Sequence, residues 1–210
     1  MFTPLREHAR FCSGRCRVAW NREKVGDPAV KVRALQWSIS GTSDTIERLA
    51  TVNAGDRPQA FVLIGEAVWW ITIVDATLVR YHLVGAYDAV MADQTPAERR
   101  LIEGALGGLR FVRNQIGDEV DLAEFIEPSP PGSGADERPV TGWTWKSAPE
   151  PALASLPPRA RSWEMTRYRA YQAQLAGHTI GEIFGRAMAF LELTAANAPS
   201  ITDISAHAAS

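Results

Sequence analysis

The twenty residues from Ala60 to Val79, AFVLIGEAVWWITIVDATLV, limit what this chain can fold into more than any other stretch. They are apolar on every side of a helix, and at a rise of about 1.5 Å per residue they have the length of a membrane span. Glu66 and Asp75 argue against that reading, since each costs roughly 2.5–3.5 kcal/mol at a bilayer centre and no positive cluster flanks the segment closely. A helix that is apolar all round then belongs at the middle of a helical body, covered by other helices. No membrane partner is expected.

The remaining sequence can supply that cover. Of 210 residues, 46% are hydrophobic and 22% charged, ordinary globular values that exclude disordered, collagenous and disulfide-scaffold chains. Cys12 and Cys16 are too few for a disulfide framework, and the N-terminus lacks the apolar stretch of a secretory signal, so the cytoplasm is the expected compartment. The net charge of −2 conceals an asymmetry. Residues 1–35 hold Arg6, Arg10, Arg15, Arg17, Arg22, Lys24, Lys31 and Arg33 against Glu7, Glu23 and Asp27, a balance of +5 on a body of −7. Such an arm either meets phosphates or docks on its own acidic body.

Helical signals recur along nearly the whole chain. Asp27-Pro28 opens a helix with proline at its first position, which runs towards Asn53 with a candidate break at Ser40-Gly41-Thr42-Ser43. After the Gly55–Pro58 turn, Trp69, Trp70, Ile73, Thr77 and Tyr81 recur at three- and four-residue steps, so one long helix is expected to about Asp93. Thr95-Pro96-Ala97-Glu98 combines an N-cap, a first-turn proline and a capping-box glutamate. In the helix it opens, Gly104 and Gly108 share one face and admit a close neighbour. A short acidic helix is expected over Asp121–Ile126.

Composition changes at Pro128. Pro130, Pro131, Pro139, Pro149, Pro151, Pro157 and Pro158 follow within one stretch, which makes it a loop. Trp143 and Trp145 flank Thr144, so both rings point to one side and pin that loop to a hydrophobic groove. Arg161–Ala176 is helical, and Thr179 with Glu182 caps another helix with an apolar stripe of Ile180, Ile183, Phe184, Ala187, Leu191 and Thr194. Because only Gly177 and His178 separate them, these two helices are expected to form an antiparallel pair. No stretch reads as a strand. The expected fold class is all-α: a helical bundle with a long central helix and a C-terminal antiparallel pair, joined by a Pro/Gly-rich loop. The expected organisation is a basic arm over 1–26, a bundle core over 27–127, the loop over 128–160, the helical hairpin over 161–197 and a tail over 198–210.

Two phrases carry chemistry. In Arg10-Phe11-Cys12-Ser13-Gly14-Arg15-Cys16-Arg17, one helical turn brings two thiols within reach of one ion, and zinc takes four nitrogen or sulfur ligands. The phrase resembles the second half of small bacterial zinc fingers that read Phe-Cys-Ser-x-x-Cys-Arg. His8 is a third candidate ligand, but no earlier cysteine pair precedes it, so His8, Cys12 and Cys16 are expected to hold zinc weakly at most, and no cofactor is expected.

The second phrase is Arg110-Phe111-Val112-Arg113-Asn114-Gln115-Ile116-Gly117-Asp118. On Arg113 and Asn114 the chain resembles the HEPN-like superfamily of helical bundles, many of which carry Arg-Asn-x3-His. The resemblance implies a metal-independent ribonuclease site in which arginine steadies phosphate charge and histidine does acid-base work. Here Asp118 stands in the histidine's place, and a carboxylate cannot begin as a protonated cation beside the leaving oxygen. Arg113, Asn114 and Asp118 are thus candidate catalytic residues of a degenerate site. Arg15, Arg17, Arg22 and Arg110 are candidate nucleic-acid contacts. The structural alternative pairs Arg113 with Glu66 or Asp75, because buried carboxylates need partners.

Asp75 and His82 also share a helix face. Arg159, Arg161, Arg167 and Arg169 alternate with Trp163, Tyr168 and Tyr171, a pattern that suits a single strand or, equally, an arginine rim around buried rings. The phrase Tyr168-Arg169-Ala170-Tyr171-Gln172 resembles bacterial proteins that carry knuckle, loop and terminal hairpin in this order. No phosphate-cradling loop, nucleophile elbow or calcium loop occurs. Two functions remain: a nucleic-acid-associated HEPN-like protein with RNA or DNA as partner, or a homodimeric, non-catalytic interaction or scaffolding module.

Overall fold

The chain is mostly helical, as its sequence leads one to expect, with six helices among the described residues and proline or hydroxyl signals at the starts of several of them. A computed structural model describes residues 28–53, 55–80, 84–117, 125–129, 142–151, 153 and 157–197. The chain divides into two compact units, Met1–Gln36 with Ser200–Ser210, and Trp37–Pro199. Of the first, only residues 28–36 are described, as the opening turns of helix α1, Pro28–Ala50. The second holds the rest of α1, then α2 (Arg57–Arg80), α3 (Val84–Asp93), α4 (Pro96–Gly117), strands β1 (Ile126–Pro128) and β2 (Trp143–Trp145), α5 (Pro158–Gln174) and α6 (Ile180–Ala196).

Helix α1 does not break at its Ser-Gly-Thr-Ser stretch. Thr42 and Ser43 donate their hydroxyls to the carbonyls of Ser38 and Ile39 four residues back, at 2.6 and 3.2 Å, so groups that would compete for the backbone are satisfied inside the helix. Asp56 caps α2 by accepting from the Gln59 N–H at 3.2 Å. Of the expected single helix to Asp93 the described residues give α2 and α3, with residues 81–83 between them outside the described part.

Leu63, Ile64, Ala67, Val68, Ile71, Val74 and Leu78 of α2 are buried, but Val62, Trp69 and Val79 are exposed. The expected cover is therefore one-sided. Among the described residues Arg57–Val79 is the one helix long and apolar enough to cross a membrane by length and composition.

Helix α4 begins as a full capping box: the Thr95 N–H donates to Glu98 Oε2 at 3.0 Å, and the Glu98 N–H to Thr95 Oγ1 at 3.2 Å. Its glycines set its closest packing. A methyl at Gly104 would lie 2.3 Å from Gln174 Cγ, at Gly107 3.1 Å from Ala170 Cβ, and at Gly108 2.5 Å from Leu175 Cδ1 and 3.1 Å from the Tyr171 backbone. As numbers rise along α4 they fall along α5, so these two run antiparallel. Phe111 continues the register, its ring 5.5 Å from Tyr168 and 5.4 Å from Tyr171.

The antiparallel pair is thus α4 with α5, and not α5 with α6 as expected. Helix α6 packs on α2, α3, α4 and β2 instead. The reason lies in the turn between α5 and α6. Gly177, at φ 81°, reverses the chain, its N–H donates to the Trp145 carbonyl at 2.7 Å, and the Trp145 N–H donates to His178 at 3.0 Å. Strand β2 is therefore held at that turn and carries the Trp145 ring between the two helices, against Tyr171 and Phe184.

Strand β2 also pairs antiparallel with β1, Ile126 opposite Trp145 and Pro128 opposite Trp143. This pair overturns the expectation of no strand, and Ile126 opens β1 rather than closing a helix; residues 121–124 lie outside the described part. Trp143 and Trp145 are fully buried, as the groove-pinning expectation requires. The Trp145 ring lies 6.3 Å from Tyr171 and 6.1 Å from Phe184. On α6 the whole expected apolar stripe is buried, while Thr179 accepts from the Glu182 N–H at 3.3 Å.

Candidate functional site

The last turns of α4 present Arg110, Arg113 and Asn114 to two different helices. Arg110 turns to α2. Its Nε donates to Asp75 Oδ2 at 2.9 Å and its Nη2 donates to the same oxygen. Asp75 is fully buried, and Tyr87 Oη donates to its other oxygen at 3.2 Å. The Tyr87 ring stands edge-on to Phe190, 4.9 Å away. Burial pushes the Tyr87 phenol above its usual range, with the Asp75 charge adding to the rise. Both oxygens of Asp75 are occupied and its charge is matched, so this cluster is closed and structural.

Arg113 lies one turn further on and finds no acid among the described residues. Its Cζ sits 4.6 Å from the Trp69 ring centroid, and that indole is 51% exposed. Helices α2 and α4 run antiparallel: a step from Arg110 to Arg113 along α4 is a step back from Asp75 to Trp69 along α2. The acid expected for Arg113 is therefore taken by Arg110, and Glu66 pairs with Arg48 at 3.9 Å on the surface. Among the described residues Arg113 has no carboxylate partner.

Asn114 turns to α5. Its Nδ2 donates to Glu164 Oε2 at 2.9 Å, and Arg167 Nη1 donates to the same oxygen at 3.1 Å. Glu164 is buried, and its Oε1 has no hydrogen-bond partner among the described residues. Nothing in the sequence around Asn114 signals this acid, which lies fifty positions along the chain. Arg159, from the arginine-aromatic series read in the sequence, rests on Trp163 at 4.7 Å, with that indole 55% exposed. The α4/α5 register puts Arg159 and Trp163 at the same end of the pair as Arg113.

The arginine-aromatic series on α5 accordingly divides. Tyr171 is fully buried and donates to the Lys146 carbonyl, Tyr168 donates to the Ala148 carbonyl at 3.3 Å, and Arg167 is engaged by Glu164. Trp163 with Arg159 remains outward. The other candidates, Asp118, His82, Arg15, Arg17, Arg22, His8, Cys12 and Cys16, lie outside the described residues. Among the described residues no group of three or more His, Cys, Asp or Glu side chains could hold a metal ion.

Chemically, an arginine stacked on a half-exposed indole offers N–H edges to an anion and a flat face to another ring. Arg113 and Asn114, adjacent in sequence, serve different ends: one guanidinium rests on a half-exposed indole and one amide is consumed by a buried acid. No protein family, curated protein or solved structure gives a significant match to the chain.

Proposed function

We propose that this chain binds single-stranded nucleic acid and does not cleave it, using the Arg113–Trp69 and Arg159–Trp163 pairs as contacts. The observation that carries the reading is the pairing itself: two guanidinium groups, each without a carboxylate partner among the described residues, each lying on an indole about half exposed. Cation and ring together suit a phosphate followed by a base, because every base has a face to stack, whatever its sequence. The HEPN-like resemblance, in which the arginine at this position meets phosphate, supports the same use of Arg113. Cleavage has less support, since the Asn114 amide is donated to Glu164 and Asp118 stands where the motif has histidine.

The test is a binding isotherm for a labelled, unstructured RNA strand at several salt concentrations. Affinity falls steeply as salt rises, because phosphate contacts release counterions. Trp69→Ala weakens binding by about tenfold, the effect of losing one stacked base worth roughly 1–3 kcal/mol. Absence of binding at low salt, or affinity unaltered in both Trp69→Ala and Arg113→Ala, overturns the reading.

A further inference from the structure

Helix α4 lies between the two helices that carry the contact indoles. It packs on α2 and on α5, which share no comparable contact with each other. Packed helices lie about 8–10 Å apart, so with α4 between them α2 and α5 stand roughly 16–20 Å apart. On α4 the residues Glu103, Gly107, Arg110 and Asn114 are exposed or half-buried, and their three- and four-residue steps put them on one strip. From that strip Arg110 reaches to α2 and Asn114 to α5.

The Asn114–Glu164 bond sets the two arginine-indole pairs beside each other. Arg113 precedes Asn114 and Trp163 precedes Glu164, so a 2.9 Å bond to a buried acid fixes one pair against the other. We infer that the two pairs are one site: a single strand crosses α4 from Trp69 to Trp163, and the ligand is an oligonucleotide rather than a mono- or dinucleotide. The inference rests on the nucleic-acid reading above and adds the size of the ligand. A stacked strand advances about 3.4 Å per nucleotide, so roughly five or six steps cover the distance between α2 and α5.

Charge along the path suits a phosphate backbone. Glu66, one turn before Trp69, is matched by Arg48 at 3.9 Å. Asp75 is matched by Arg110, and Glu164 by Arg167 at 3.1 Å. Glu103 is the strip's own acid, and it stands ten residues from Arg113, about 15 Å along the helix. A strand crossing here meets Arg113 near one edge and Arg159 at the other.

Titration of the full chain at low salt with labelled oligouridylates of two and of ten nucleotides tests the inference, with Trp69→Ala and Trp163→Ala beside it. Both indoles are about half exposed, so the variants keep their helical circular dichroism, and that reading identifies one that has not folded. A ten-nucleotide strand offers a single contact about nine registers, so registers alone give a gain of about tenfold; two contacts acting together give about 10²–10⁴. The expected gain over the dinucleotide is therefore more than tenfold. Either variant loses about tenfold for the long strand, and no more than about twofold for the dinucleotide, which keeps the other pair. Binding of neither length by the unaltered chain overturns the nucleic-acid reading and this inference with it. A gain of tenfold or less, or a long-strand affinity that falls in Trp69→Ala and is unaltered in Trp163→Ala, leaves that reading standing and overturns the single crossing.

Discussion

Arg110 and Arg113 occupy successive turns of α4 and both point towards α2, yet one is tied to a fully buried acid and the other lies on a half-exposed ring. At the level of Arg110, α2 supplies Asp75, fully buried and already holding Tyr87. At the level of Arg113 it supplies Trp69, half in solvent. A buried carboxylate must be matched, because an uncompensated charge in a low-dielectric interior is expensive. A surface guanidinium carries no such obligation and can rest on an indole for about 0.5–1 kcal/mol. The lesson is that depth on the neighbouring helix, rather than residue type, divides structural arginine from available arginine.

The largest break in this comparison comes from Arg110→Ala, which strands Asp75 with only the Tyr87 hydroxyl and costs about 3–5 kcal/mol in denaturant unfolding. Next is Gly108→Ala. The added methyl meets Leu175 and the Tyr171 backbone, so the α4–α5 contact must open, at about 1–3 kcal/mol for an overpacked site. Gly104→Ala, which meets only the flexible Gln174 side chain, costs less, and the two melts measured together give the order.

An alkaline titration sharpens the buried side. Burial raises the phenols of Tyr87 and Tyr171 above their ordinary value of 10.0. The unfolded chain releases these protons near that value while the folded chain keeps them, so their contribution is fully present below it and is lost as pH rises past it. Melting temperature should therefore fall as pH is raised above about 10, and Tyr87→Phe or Tyr171→Phe should flatten the fall. The smallest effect is that of Arg113→Ala on stability, about 0.5–1 kcal/mol.

Local signals made much of the fold legible. The Thr95–Glu98 box, the Gly104/Gly108 face, the paired tryptophans and the α6 stripe all rest on interactions within a few residues or on a simple period, and each appears in the structure. Relations between distant segments were not legible. Strands of three residues have no period to read, and the α5–α6 turn gives no sign that Trp145 will hydrogen-bond to it. In the site, Asp75 was recognisable as an acid needing an arginine, but the choice between Arg110 and Arg113 depends on how α2 and α4 are set against each other. Glu164 as the partner of Asn114 depends likewise on the α4/α5 register, which the glycines permit but do not number.

The central claim is that Arg110 holds the fold while Arg113 is left for a ligand. Denaturant unfolding of Arg110→Ala and Arg113→Ala against the unaltered chain, in one buffer, tests it most directly. The account predicts a loss of about 3–5 kcal/mol for Arg110→Ala and no more than about 1 kcal/mol for Arg113→Ala. Equal losses, or the larger loss in Arg113→Ala, would contradict it.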